Sequence, residues 1–177
     1  MHAVVLADAE RCIGCRACEI ACTLAHAASG EDPGRAAEAG AAFAPRLTVV
    51  RDGGLAVPVQ CRQCEAAPCA AACPTGALFS DGRSVAVNTA ACTGCKACLA
   101  ACPVGAMDML PLAALPGRLV AGKCDLCAGR PTGPACQAVC PAGALFLHDP
   151  QALGQLCAAR RRRAVLACAG TAAGTAP

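Results

Sequence analysis

The residues able to do chemistry in this 177-residue chain are its 18 cysteines, and their spacing says which chemistry. Cys92, Cys95, Cys98 and Cys102, followed by Pro103, read C-x2-C-x2-C-x3-C-P, a spacing that holds 4Fe-4S clusters. Two-residue gaps let a short loop wrap one cubane with three thiolates. The fourth sulfur lies a helical turn further on, points away, and serves a second cluster. Such a motif needs partners, and the chain supplies three. Cys12, Cys15, Cys18 and Cys22 repeat the spacing. Cys61, Cys64, Cys69 and Cys73 widen the second gap to four residues, with Pro74 following, and Cys124, Cys127, Cys136 and Cys140 widen it to eight, with Pro141 following. Sixteen of the 18 cysteines thus form four quartets, a count that fits four 4Fe-4S clusters.

Zinc is the plainer alternative, since four-cysteine zinc sites also use C-x2-C pairs. Zinc has no need of a third cysteine at the same gap and a fourth before proline, so iron-sulfur is preferred. Cys157 and Cys168 lie outside every motif and read as small buried hydrophobes. Arg16, Arg62 and Lys96 sit inside cluster loops and Lys123 directly precedes one. The plain reading makes them solvated; the other is that they stabilise reduced clusters and raise their potentials. Gly117 to Lys123 spells G-x4-G-K, but Cys124 stands where a phosphate loop needs Ser or Thr. His2, His26 and His148 form no spaced pair, and no nucleophile-base set or dinucleotide glycine fingerprint appears.

The elements that must position these sulfurs are short. Ala3 to Asp8 reads as a strand feeding the first loop, and Ala17 to Ala28 as a helix that Thr23, standing where the other motifs carry proline, allows to continue. Residues 29–46 read as a loop or insertion. Leu47 to Asp52 and Leu55 to Gln60 flank Asp52-Gly53-Gly54 and predict a hairpin; Ser84 to Asn88 predicts a strand. C-P-x-G-A-[LM] occurs at Cys73, Cys102 and Cys140, a repeat of about 31 residues between motif starts, as in duplicated modules. Each unit is a cluster loop, a short helix stopped by proline, and a strand. Gln151 to Arg163 could form a helix carrying Arg160 to Arg163, a run read as a solvated face rather than a docking patch. Ala164 to Gly170 is a short apolar run, and Thr171 to Pro177 a frayed tail.

Composition bounds the rest. Hydrophobic residues make up 56% of the chain, but it has only three Phe and no Tyr or Trp. Large core side chains are scarce, so clusters are expected to supply the missing cohesion, and the apoprotein is expected to be largely unfolded. The formal charge of +3 counts thiols as neutral; sixteen thiolates and four 2+ cores would bring the protein to about −5, which gives no support to nucleic-acid binding. Met1 to Arg11 shows no signal-peptide pattern and no stretch approaches a membrane span. The expectation is a cytoplasmic protein, associated with a membrane only through a partner.

The four quartets in this order, with Lys123-Cys124-Asp125-Leu126-Cys127 and Arg130-Pro131-Thr132-Gly133-Pro134-Ala135-Cys136, resemble the four-cluster iron-sulfur subunits of molybdopterin oxidoreductases. That family includes electron-transfer subunits of formate dehydrogenases and of dimethyl sulfoxide reductase. Compact forms associated with formate hydrogenlyase and carbon monoxide dehydrogenase are similar in length and in the fourth motif. The resemblance covers about residues 3–149. It implies that outer motifs pair with each other and inner motifs likewise. Cys12, Cys15, Cys18 and Cys140 would hold one cluster; Cys124, Cys127, Cys136 and Cys22 a second; Cys61, Cys64, Cys69 and Cys102 a third; Cys92, Cys95, Cys98 and Cys73 a fourth. The implied fold is α+β: two ferredoxin-like dicluster modules, one inserted in the other, with short strands and helices around four clusters. The outer module would take residues 1–46 and 113–150, the inner 47–112, and a C-terminal extension 151–177. The implied function is non-catalytic electron transfer as a subunit of formate dehydrogenase or a related molybdopterin enzyme. A hydrogenase or carbon monoxide dehydrogenase partner, a free polyferredoxin, and a cluster-delivery or maturation factor are the alternatives.

Overall fold

The computed structural model describes residues 1–27, 43–112, 115 and 117–172. In chain order these form β1 (Val4–Ala7), α1 (Ala17–His26), β2 (Leu47–Asp52), β3 (Leu55–Gln60), α2 (Pro68–Ala71), β4 (Leu78–Ser80), β5 (Val85–Val87), α3 (Ala97–Ala101), β6 (Asp108–Pro111), β7 (Leu119–Gly122), α4 (Ala135–Ala138), β8 (Leu145–His148) and α5 (Pro150–Ala172). It is a mixed fold of short helices and small strands. Most of the insertion read at residues 29–46 lies outside the described residues.

The local chemistry sets the lengths. Without a proline after Cys22, α1 runs ten residues. In the other three motifs proline follows the last cysteine, and α2, α3 and α4 stop at four or five; a proline ring cannot extend the helical hydrogen-bond ladder. The strands pair antiparallel in four two-stranded sheets, β1-β8, β2-β3, β4-β5 and β6-β7. The β2-β3 hairpin has the ends expected from sequence, with Asp52 opposite Leu55 across the Gly53-Gly54 turn. Only β1-β8 joins distant parts of the chain among these pairs, with Val4 opposite His148 and Ala7 opposite Leu145.

Two small cores result. One gathers Ala67, Ala77, Leu78, Val85, Met107, Val120 and Ala121 around Cys69, Cys92 and Cys98. The other gathers Val5, Leu47, Val49 and Leu145 around Cys18, Cys22 and Cys136. Sulfur and methyl groups take the places that large side chains fill elsewhere, so neither core closes without what the cysteines hold.

The C-terminal helix differs from the sequence reading. Asp149 caps it, its Oδ1 accepting from Ala152 N–H at 2.7 Å, and the helix continues past Arg163 through the apolar run to Ala172. Cys157 and Cys168 are exposed, not buried. Arg160 to Arg163 fill a whole helical turn with charge, which breaks any apolar stripe that could lay the helix on a core. No helix among the described residues is long and apolar enough to cross a membrane.

Candidate metal centres

Eight of the motif cysteines line two hollows, four in each and drawn from two motifs. A partly open hollow of about 330 Å³ is lined by Cys12, Cys15, Cys18 and Cys140, with Val49, Pro58 and Leu145 as its apolar wall. A second, of about 290 Å³, is lined by Cys73, Cys92, Cys95 and Cys98, with Leu78, Met109 and Ala121. The two are built alike. In each, a strand preceding the loop (β1, β5) pairs with the strand following the Cys-Pro of another motif (β8, β4), and a hairpin (β2-β3, β6-β7) covers the loop. Asp8 N–H donates to Ala144 O at 2.8 Å, and Asn88 N–H to Ala77 O at 2.7 Å. The covering arginines also correspond: Arg51 donates to Gly14 O, and Arg118 to Cys92 O at 2.6 Å.

The other eight motif cysteines crowd together more deeply. Burial, then the nearby Cys22 and Cys127, pushes the Cys136 thiol up to about 12. Burial pushes Cys124 up to about 12 as well, with Cys136 adding to the rise. Cys69 is raised by burial and by Cys61, with Cys102 a smaller contributor and Lys123 opposing. Sulfurs this close and this dry are poor thiolates on their own, and a cationic iron core is what resolves the conflict. The sixteen motif cysteines form no disulfide.

The backbone around them is arranged for an anion. Arg16, Gln63, Lys96, Leu126 and Cys127 all hold positive φ, between 51° and 66°. Such left-handed residues cost about 1–2 kcal/mol each, and they turn successive N–H groups inward as anion-binding nests. Amides donate directly to sulfur: Ala144 to Cys140 at 3.2 Å, and Ala106 to Cys102, Ala121 to Cys92 and Arg46 to Cys22, each at 3.3 Å. This explains C-P-x-G-A. Gly105 and Gly143, at φ of 63° and 54°, swing the chain so that the next alanine's N–H reaches back to the cysteine. A cluster with four thiolates is a net anion, and the residues present fit it.

Several participants were invisible in the sequence. Glu19 is 4% exposed; its Oε1 accepts from Val49 N–H at 2.6 Å and Arg16 Nε lies 3.9 Å from its Oε2. His26, Arg46 and Asp125 form a cluster beside Cys22 and Cys127. His26 Nε2 lies 2.9 Å from Asp125 Oδ1, and Arg46 Nη1 donates to Oδ2 at 2.5 Å. Burial opposes charge on His26, but its bonds to Asp125 and Cys22 prevail and hold its pKa up to about 10. Desolvation likewise opposes ionisation of Asp125, yet His26 and Arg46 keep its carboxyl far below the usual range. Of the charged residues flagged in sequence, Arg16, Arg62 and Lys96 are exposed. Lys123 is 2% exposed and corrects the solvated reading. Gly117 to Lys123 leads through β7 into Cys124, with no helix for a phosphate loop to cap.

Comparison with known proteins agrees with this chemistry. Residues 54–150 match a 4Fe-4S dicluster domain and residues 9–27 a 4Fe-4S binding domain. The electron transport protein HydN of Escherichia coli K12 is 42% identical over 176 residues, spanning 94% of this chain and 99% of that protein. The putative electron transport protein YsaA of the same strain is 42% identical over 149 residues, 84% of this chain and 91% of that protein. An iron-sulfur protein of Rhodospirillum rubrum is 38% identical over 159 residues, spanning 84% and 83%.

Proposed function

Because this chain belongs to the 4Fe-4S dicluster-domain family, we propose that it passes single electrons along a row of four clusters to and from a catalytic oxidoreductase. It is an electron-transfer iron-sulfur protein, like the relatives named for electron transport, and not itself a catalyst. When bound, 4Fe-4S clusters accept and release one electron at a time. The protein's part is to hold, space and insulate them.

The observation that carries this reading is the composition of the two open hollows, where three sulfurs come from one motif and the fourth from another. In this reading Cys12, Cys15, Cys18 and Cys140 hold one end cluster, and Cys92, Cys95, Cys98 and Cys73 the other. Cys124, Cys127, Cys136 and Cys22, and Cys61, Cys64, Cys69 and Cys102, hold the middle two; Cys136 buried near Cys22 and Cys127, and Cys69 buried near Cys61 and Cys102, are consistent with that partition. Among the motif cysteines only Cys15 and Cys95 are exposed, one in each end set, which gives electrons a way on and a way off. Apolar Ile13, 65% exposed beside Cys15, suits a protein partner at that end.

The fold reading is one dicluster module inserted in another. The cores support seams near 60/61 and 122/123 rather than a 47–112 inner span, because β2-β3 covers the first loop and β6-β7 the third. The favoured partner is a formate dehydrogenase or related molybdopterin enzyme in the cytoplasm. The test is anaerobic purification from native cells, with iron analysis and identification of whatever accompanies the chain in fixed stoichiometry. About sixteen iron atoms per chain and a large molybdopterin-binding subunit are expected. A hydrogenase or carbon monoxide dehydrogenase would keep the role and change the reaction. A lone, fully loaded monomer would overturn the subunit reading in favour of a free carrier.

A further inference from the structure

The seam between the two proposed modules is lined with buried polar side chains. His2, Gln60, Gln63 and Lys123 are all 7% exposed or less. Gln60 Nε2 donates to Val5 O at 2.8 Å, and His2 Nδ1 lies 2.9 Å from Gln63 O. At the centre, Lys123 Nζ donates to Cys124 O at 2.8 Å and to Gln63 Oε1 at 3.2 Å. Gln63 sits between Cys61 and Cys64 in the second motif. Its N–H donates to Cys61 Sγ at 3.4 Å, its Nε2 to Cys124 O at 2.7 Å, and its Oε1 also accepts from Val85 N–H at 3.0 Å.

Among the described residues no carboxylate pairs with Lys123. Both its acceptors are neutral. A buried cation with only carbonyl partners is expensive unless negative charge stands close by. The sulfurs of two different quartets supply it: Lys123 follows β7 directly into Cys124, and Gln63 holds its amine against the Cys61–Cys64 loop.

We infer that Lys123 is a buried positioning cation shared by the two middle clusters: it offsets the negative charge that either gains with one electron, and so raises both potentials together. This rests on the four-cluster partition above. Matched middle stations favour passage between modules, because neither then becomes a trap for the electron leaving the other.

The test is Lys123→Met in the full-length holoprotein, purified anaerobically and titrated potentiometrically with EPR detection of each reduced cluster. Two of the four reduction equilibria are expected to fall by about tenfold, which for a one-electron couple is about 59 mV, while the other two hold. Lys123→Arg should restore them toward wild type. Lys96→Gln, which removes an exposed charge in an end loop, should leave the middle pair in place. Should Lys123→Met fail to load iron, Gln63→Glu keeps the lysine but sets a carboxylate on its amine, and the same two potentials should drop. Four unchanged potentials in a fully loaded variant would overturn the inference and leave the carrier reading intact. Wild-type protein yielding fewer than four reducible clusters would instead sink the partition itself.

Discussion

Glu19→Ala is the perturbation whose consequence can be worked furthest. Glu19 lies on α1 between Cys18 and Cys22, which the proposed partition assigns to two different clusters, and its carboxylate reaches β2 through Val49 N–H at 2.6 Å. Val49 faces Pro58 across the β2-β3 ladder. Counting from the Asp52–Leu55 pair that closes the turn, Val49 and Pro58 form a non-hydrogen-bonded pair, so the Val49 N–H points away from β3 and is free for Glu19, while Pro58 loses no ladder bond by lacking its own N–H. A hydrogen bond to a charged acceptor contributes about 1.5–3 kcal/mol, and an orphaned amide costs about 1–3 kcal/mol. Val49 is 3% exposed, so water cannot take over. Against this, alanine removes a buried carboxylate whose cation, Arg16, stands 3.9 Å away and offsets it weakly. A net loss of about 2–3 kcal/mol remains, whereas Glu19→Gln keeps the acceptor and should lose about 1 kcal/mol. The assay is the rate at which iron-sulfur absorbance bleaches anaerobically in guanidinium, because a cofactor-bound chain does not unfold in two states. Glu19→Ala should bleach about 30- to 150-fold faster if the bond breaks before the unfolding barrier, and Glu19→Gln only severalfold faster. Equal rates for the two variants would refute the reasoning, since the amide bond would then not be what Glu19 contributes.

Other perturbations separate local strain, metal and surface. Gly94→Ala forces φ of +72° on alanine and brings its Cβ to 3.0 Å from Leu119 O, whereas Gly105→Ala meets nothing within 4 Å at φ +63°. Both should pay the left-handed cost of about 1–2 kcal/mol, and Gly94→Ala should in addition lose iron from one end site, measured as iron per chain. Complete iron removal should abolish native circular dichroism, as expected where folding and liganding are one process; a sharp thermal melt of the apoprotein would contradict this. Cys157→Ser should leave iron per chain unchanged while abolishing fast alkylation of the holoprotein at that exposed position.

What the sequence disclosed and what it hid follow a physical line. Cluster loops, proline-stopped helices and the Asp52-Gly53-Gly54 hairpin are local devices, and each was legible because the residues that cause it adjoin it. Lys123, Gln63, Glu19 and the His26-Asp125 pair were not. His26 and Asp125 are 99 residues apart, and an isolated polar residue carries no mark of the partner that buries it. The C-terminal helix misled in another way. Its Arg160 to Arg163 run reads as a solvated face, yet Cys157 and Cys168 on either side, small and apolar, read as core although such a helix has no stripe to join one.

The same distinction explains why Cys12 and Cys140, which line one hollow, can lie more than a hundred residues apart without the fold being fragile at that point. Ala144 stands four residues after Cys140, and Ala77 four after Cys73; Asp8 stands four before Cys12, and Asn88 four before Cys92. The paired bonds Asp8 N–H to Ala144 O and Asn88 N–H to Ala77 O therefore set the same offset between loop and returning cysteine in both sites. Ala77 and Ala144 are each 1% exposed, so no larger side chain fits where strand and loop meet. A one-residue slip of β8 on β1 would turn Leu145 out of its core and carry Cys140 away from the first loop together. Burial of Leu145 and, in the proposed partition, ligation by Cys140 thus call for one register, and that partition makes the chain between β3 and Lys123 a module of its own whose ends return to the buried polar residues Gln60, Gln63 and Lys123.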